Sequence, residues 1–277
     1  MLKLLPLAAV IFHAIPLWAQ EKPAAEKIDL DKLIVVKRGT LPIIISAPHG
    51  GRMPIPGVPV REGKGIEKFV TGADTDTDHL AEKMAAAIKK ELGGEPYMIV
   101  AHFQRKNADV NRPPEQAYES EKAKPVYDAY HKAVKDACDD VRKQWGRGLL
   151  IDVHGQAGEK DTIFRGTAGR KSLKDLETRF GTKAVNGPNS IFGAMERAGY
   201  KVFPPGTSDE AEDKRYSGGF ITSHYGSSNG TAIDSIQMEF GTNLRTKSAI
   251  DKTAADVAAA LKLFAKEYLP AEKQPSK

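Results

Sequence analysis

Apolar residues recur along this chain in two alternating rhythms. Leu33–Val36 and Ile43–Ile45 are short β-branched runs separated by the turn residues Arg38-Gly39-Thr40, which predicts two strands. Residues 52–73, with Pro54, Pro56 and Pro59, predict a loop. From Asp74-Thr75-Asp76-Thr77 a helix is expected, with Leu80, Met84, Ile88 and Leu92 on one face and Gly93-Gly94 as its stop. Tyr97–Ala101 predicts a strand. A long helix follows Pro113-Pro114, carrying Tyr127, Tyr130, Val134, Ala137, Val141 and Trp145 at helical spacing up to Gly146. Leu149–His154 reads as a buried strand, Ile191–Met195 as a short helix and Ile233–Phe240 as another strand. Ile250, Ala254, Val257, Leu261, Phe264 and Tyr268 share one face of a last helix, which Pro270 bounds.

This alternation predicts an α/β fold: one domain, folded from about residue 28 to about residue 270, with a mostly parallel or mixed sheet and helices on both faces. No repeat or linker divides it. The Gly-rich stretch 155–230, with Arg165, Arg170, Arg215, Tyr216 and Ser217-Gly218-Gly219, carries no assignable motif, and is expected to shape substrate choice. In such sheets ligands bind beyond the carboxyl ends of the strands.

Composition narrows the chemistry. Forty per cent of the 277 residues are hydrophobic, ordinary for a globular protein. The net charge of +5 is spread without dense Lys/Arg runs, which argues against nucleic acid as a partner and mildly favours anionic substrates. A single cysteine, Cys138, excludes an intrachain disulfide framework and a Cys-rich zinc finger, so a metal site has to use His, Asp and Glu. The start is different in kind. Lys3, the apolar run from Leu4 to Trp18 and then Ala19-Gln20 before Glu21-Lys22 read as a secretory signal over residues 1–20, cleaved after Ala19 or Gln20. The mature protein, residues 21–277, is then expected outside the cell or in the periplasm. It is expected to keep no membrane association after cleavage.

The residues suited to chemistry stand at strand ends. His49 follows Ile43–Ala47, His154 ends Leu149–Val153, and Glu239 lies near the end of Ile233–Phe240, while Asp74 and Asp76 open the first long helix. Two histidines and a carboxylate around an open position form the ligand set of hydrolytic zinc. Zinc so held lowers the pKa of water to about 7 and polarises a scissile carbonyl. A further carboxylate then takes the proton, and Glu239 is the candidate.

The order of these pieces adds to that reading. Pro48-His49-Gly50-Gly51, Asp74–Leu80, Arg105-Lys106-Asn107-Ala108-Asp109-Val110-Asn111-Arg112-Pro113, Ile151-Asp152-Val153-His154-Gly155 and Gln237-Met238-Glu239-Phe240 follow one another in a series that resembles the N-formylglutamate amidohydrolase family over about residues 41–245. That family is similar in fold to the zinc carboxypeptidases, a phosphorylase/hydrolase-like architecture. The resemblance implies a Zn²⁺-dependent amidohydrolase whose substrate is a small N-acyl amino acid bearing free carboxylates, or a short peptide. It makes His49 and His154 metal ligands and Glu239 the catalytic carboxylate. The metal carboxylate falls in Asp74-Thr75-Asp76: the distance to Leu80 favours Asp74, and the Asp-Thr-Asp string leaves Asp76 open. Asn111-Arg112 looks like the pair with which related peptidases hold a terminal carboxylate, since a guanidinium fork matches a carboxylate. Arg105 is grouped with them for substrate binding, and Arg165 and Arg245 are further candidates for the anion site. Arg52 stands third after His49, so the HxxE pattern of zinc peptidases is broken. Two rival readings remain open here: a zinc exopeptidase of carboxypeptidase type, separated by pocket size, and a non-catalytic binding protein for an acidic ligand.

Overall fold

The computed structural model describes residues 28–67 and 69–274; the apolar run read as a secretory signal lies outside them. One turn of helix, α1 (Leu30–Leu33), leads into strands β1 (Ile34–Lys37) and β2 (Ile43–Ala47). The proline-rich loop then reaches helix α2 (Thr77–Leu92), strand β3 (Tyr97–Ala101), the short α3 (Pro114–Ala117) and the long α4 (Lys124–Trp145). Strand β4 (Gly148–Gln156) is followed by β5 (Thr162–Gly166) and helices α5 (Lys174–Phe180), α6 (Lys183–Asn186) and α7 (Ile191–Arg197). Strand β6 (Lys201–Phe203), helix α8 (Phe220–Tyr225), strand β7 (Ile233–Gly241) and helix α9 (Ile250–Tyr268) complete the chain. No helix among the described residues is long and apolar enough to cross a membrane.

The strands form one seven-stranded sheet in the order β1-β3-β2-β4-β7-β5-β6. Its centre, β3-β2-β4-β7, is parallel, while β1 and β5 pair antiparallel with β3 and β7. Strand alternation sends successive side chains to opposite faces. Ile45, Met98, Leu149, Ile151 and Met238 therefore meet α2, α7 and α9, while Ile44, Tyr97, Ile99, Leu150 and Ile233 meet α4 and α8. Leu80, Met84 and Ile88 on α2 have no exposed surface, and each contributes on the order of 1.5–3 kcal/mol by burial.

The sequence placed the first long helix too early. Asp74–Asp76 are not helical: the Asp74 N–H donates to the His49 carbonyl at 3.0 Å, and Asp76 takes a left-handed φ of 63° before the helix begins at Thr77. This tether brings the end of the long loop back to the residue just beyond β2.

Candidate active site

The site lies on the α4 face of the sheet, where the period-two pattern of β4 and β7 stops supplying apolar side chains. On β4, Leu150 is followed on that face by Asp152 and His154; on β7, Ile233 is followed by Ser235, Gln237 and Glu239. The parallel register sets Asp152 beside Gln237 and His154 beside Glu239. All of these polar side chains are buried.

Two ligand candidates come from outside these strands. His49 stands two residues past β2, and Asp74 ends the proline-rich loop. The Nδ1 atoms of His49 and His154 are 3.2 Å apart, and Asp74 Oδ2 lies 3.4 Å and 3.1 Å from them. The Gly155 N–H donates to the same carboxylate oxygen at 3.2 Å. Each imidazole is held from behind by a second carboxylate: His49 Nε2 donates to Asp109 Oδ1 at 2.7 Å, and His154 Nε2 to Asp152 Oδ2 at 2.9 Å. These bonds keep the ring protons on Nε2 and turn the Nδ1 lone pairs inward. Two lone pairs and a carboxylate so close repel one another unless a positive charge sits among them, either a proton or a cation. The donor set matches a divalent metal of the zinc type. Among the described residues, His49, Asp74 and His154 are the cluster with metal-ligand geometry.

The electrostatics follow from burial and these contacts. Burial alone would raise Asp74, but bonds from His154 and His49 and their charge hold it well below the ordinary carboxylate range. Burial would likewise raise Asp109; His49, and then Arg105 and Arg112, outweigh it and pull the group down. His154 is pushed down by burial, yet the charge and bond of Asp152, helped by Asp74 and Glu239, keep it well above the usual imidazole value. Glu239 has no comparable partner. Burial pushes it up to about 7, against the opposing pull of His154. Among the described residues its Oε1 accepts a 2.9 Å bond from Gln237 Nε2, and Gln237 in turn accepts from the Gly219 N–H at 2.7 Å.

The remaining candidates separate. Asp76 stays outside the cluster, half-exposed, with His79 at 3.7 Å as its ion-pair partner. Arg105 donates Nε to Asp109 Oδ2 at 2.8 Å and stands 3.7 Å from Asp74. Asn111 Oδ1 accepts from the Ile221 N–H at 2.8 Å, and the Asn111 main-chain N–H donates to Asp109 Oδ1 at 3.0 Å, so this residue ties the site to the start of α8. Arg112 lines the cleft, its guanidinium donating to the Asn111 carbonyl at 2.9 Å. Arg165 is buried in β5 against Glu212 and donates to the Val185 carbonyl, away from the cleft. Arg245 is no anion site either. It spends its guanidinium on main-chain carbonyls, Phe240 and Gln156 at 3.1 Å each and Thr75 besides. It lies flat on Gly155, where a Cβ would come 2.5 Å from its Cζ.

Sequence reasoning assigned no role to Asp109, Asp152 or Gln237. Asp152 carried a readable signal, being two positions before His154 in a strand and hence on its face. Asp109 and its partner His49 are 60 residues apart, and only the fold joins them.

Above the cluster opens a cleft of about 900 Å³. One wall is the loop with Gly65, Glu67 and Val70; the other is the segment Lys214–Gly219.

The chain is similar to several known proteins. A family model described as N-formylglutamate amidohydrolase matches residues 116–244. The N-formylglutamate deformylase of Pseudomonas aeruginosa is 25% identical, over 87% of this chain and 96% of its own length. That of Pseudomonas putida is 25% identical over 76% of this chain and 84% of its own. The crystal structure of N-formylglutamate amidohydrolase from Ralstonia eutropha superposes with a TM-score of 0.57 at 16% identity, covering 86% of this chain and 98% of that one. A gene product of Agrobacterium tumefaciens gives 0.53 at 14% identity, covering 84% and 94%. These two structures share the fold.

Proposed function

We propose, from the premise that this chain is a relative of the N-formylglutamate amidohydrolases, that it is a metal-dependent hydrolase of an amide bond next to a carboxylate, N-formylglutamate-like in its substrate and served by zinc. The observation that carries this reading is the inward convergence of His49 Nδ1, His154 Nδ1 and Asp74 Oδ2, each imidazole backed by its own carboxylate, with the raised Glu239 beside them. A non-catalytic binding protein has no use for a carboxyl poised near neutral pH at such a place.

In this reading His49, Asp74 and His154 hold the cation. When bound, it polarises the scissile carbonyl and makes water more acidic. The chain's own residues do the rest. Glu239 accepts the proton of the attacking water and delivers it to the leaving amine as the C–N bond breaks. Arg112 holds the substrate carboxylate bidentately from the cleft wall. Arg105, locked on Asp109, sets positive charge beside Asp74 and Glu239. Asp109 and Asp152 fix the two rings. The reading includes export, which rests on residues 1–20 alone.

Elemental analysis of the purified protein tests the metal assignment. Wild type should carry about one equivalent of zinc, and His49→Ala and His154→Ala should each lose most of it. Full occupancy in both variants would remove these residues from the ligand set.

A further inference from the structure

We propose that the acyl group of the preferred substrate is itself a peptide of several residues with acidic side chains, laid along the Lys214–Gly219 wall, so that the enzyme trims a carboxy-terminal residue. This inference rests on the hydrolase reading above and deepens it.

The cleft measures about 900 Å³. Pockets of roughly 300–1,000 Å³ enclose drug-sized ligands, so this one stands near the upper end. A formylated amino acid has about a dozen heavy atoms and fills only the end where His49, His154 and Glu239 lie. With Arg112 taken to hold the terminal carboxylate and Glu239 to stand at the scissile bond, we assign the volume along Lys214–Gly219 to the acyl side. The wall offers Ser217, the main chain of Gly218 and Gly219, the Tyr216 ring and two cations. Arg215 is paired with Asp213, Nη2 to Oδ2 at 2.6 Å, and so stiffens the wall. Lys214 forms no ion pair among the described residues and is exposed, which leaves its ammonium for a carboxylate of the substrate. The lining is mainly polar, which suits a fatty acyl chain poorly.

The wall is also built to keep its shape. Glu212, two residues before Lys214, accepts from Thr167 Oγ1 at 2.5 Å, from the Thr167 N–H at 3.0 Å and from the Gly169 N–H at 3.1 Å. The Ala168 N–H donates to the Ser217 carbonyl at 2.6 Å, and Gly166 has no side chain because the Tyr216 carbonyl lies 2.3 Å from where its Cβ would be. A segment pinned at both ends to the turn Gly166–Gly169 that follows β5 is a preformed surface, which lowers the cost of ordering a bound chain.

The reaction is unchanged by the longer acyl group. Water supplies hydroxyl to the acyl carbon, the C–N bond breaks, and the amine leaves with the proton. Binding energy from the remote residues can be expressed in the transition state, so length should act on kcat as well as KM.

The test is a length series on the zinc-loaded protein: N-formyl-L-glutamate, N-acetyl-L-glutamate, N-acetyl-Glu-Glu and N-acetyl-Glu-Glu-Glu, with N-acetyl-Ala-Ala-Glu as the neutral chain. We expect kcat/KM to rise at least tenfold from the formyl to the tripeptide substrate, with the acidic chain ahead of the neutral one. In Lys214→Ala the ratio of acidic to neutral tripeptide should fall at least threefold. A formyl substrate turned over as fast as any extended one overturns the proposal while leaving the hydrolase reading intact. An unchanged ratio in Lys214→Ala overturns the acidic-chain part. Turnover of none of the substrates contradicts the hydrolase reading and this inference with it.

Discussion

Asp109 and Asp152 do the same job for different histidines, and each can be tested by removing only its charge. Asp109→Asn keeps the shape but weakens the bond that fixes the His49 ring. Losses of roughly 10–100-fold in metal affinity are ordinary for such outer partners, and a zinc competition titration should show one here. An unaltered affinity would mean that His49 needs no support. Glu239 offers a test in the metal-free protein. Its folded pKa, about 7, lies above the ordinary value of 4.5. The folded state therefore holds this proton more tightly than the unfolded one. The protonated carboxyl imposes no penalty below pH 4.5, stability falls as pH rises towards 7, and the loss is complete above that. Glu239→Gln never ionises. Its melting temperature should exceed wild type by several degrees at pH 8 and the difference should shrink towards pH 4; a difference independent of pH would contradict the buried-charge argument. The placement of these groups is partly legible in the sequence: His49, His154 and Glu239 stand at strand ends, and the family resemblance favours Asp74, which the fold brings to the two histidines, over Asp76. Asp109 was invisible because its meaning depends on a contact across 60 residues.

At the scale of elements, the hydrophobic rhythm located β2, β3, β4, β7, α2, α4 and α9 because each buries a continuous face or run. Between residues 155 and 230 it located only the short helix α7. There β5 has a buried arginine in its middle and β6 is three residues long with no fully buried side chain. Such strands exist by pairing with β7 and with each other, which a local pattern does not show. The same dependence on long-range contact makes Arg245 informative. It joins the carbonyl beside Asp74 to the strands bearing His154 and Glu239, so it sets the register of the loop against the sheet. Arg245→Lys loses the fork that spans three carbonyls. Zinc affinity should fall about tenfold or more in that variant, by analogy with other supporting contacts. In an Asp74→Asn background the same change should cost little more, because the effect is transmitted through Asp74. Additive losses would assign Arg245 to general stability instead.

For the whole molecule, the mixed sheet covered on both faces makes one rigid platform, and the site stands where the parallel strands end, as such sheets dictate. Export remains the proposal made above from residues 1–20. N-terminal sequencing of protein from the periplasm or medium should begin at Gln20 or Glu21, and an intact Met1 on cytosolic protein would end the export reading. The central claim is that Glu239 moves a proton during amide hydrolysis at a metal site. It is tested most directly by measuring formate release from N-formyl-L-glutamate by wild type and Glu239→Gln, each with its bound zinc quantified. We expect both proteins to hold about one equivalent of zinc while kcat falls by roughly 10²–10⁴-fold in the variant, the range for loss of a general base. An equal kcat in the two zinc-loaded proteins would contradict it.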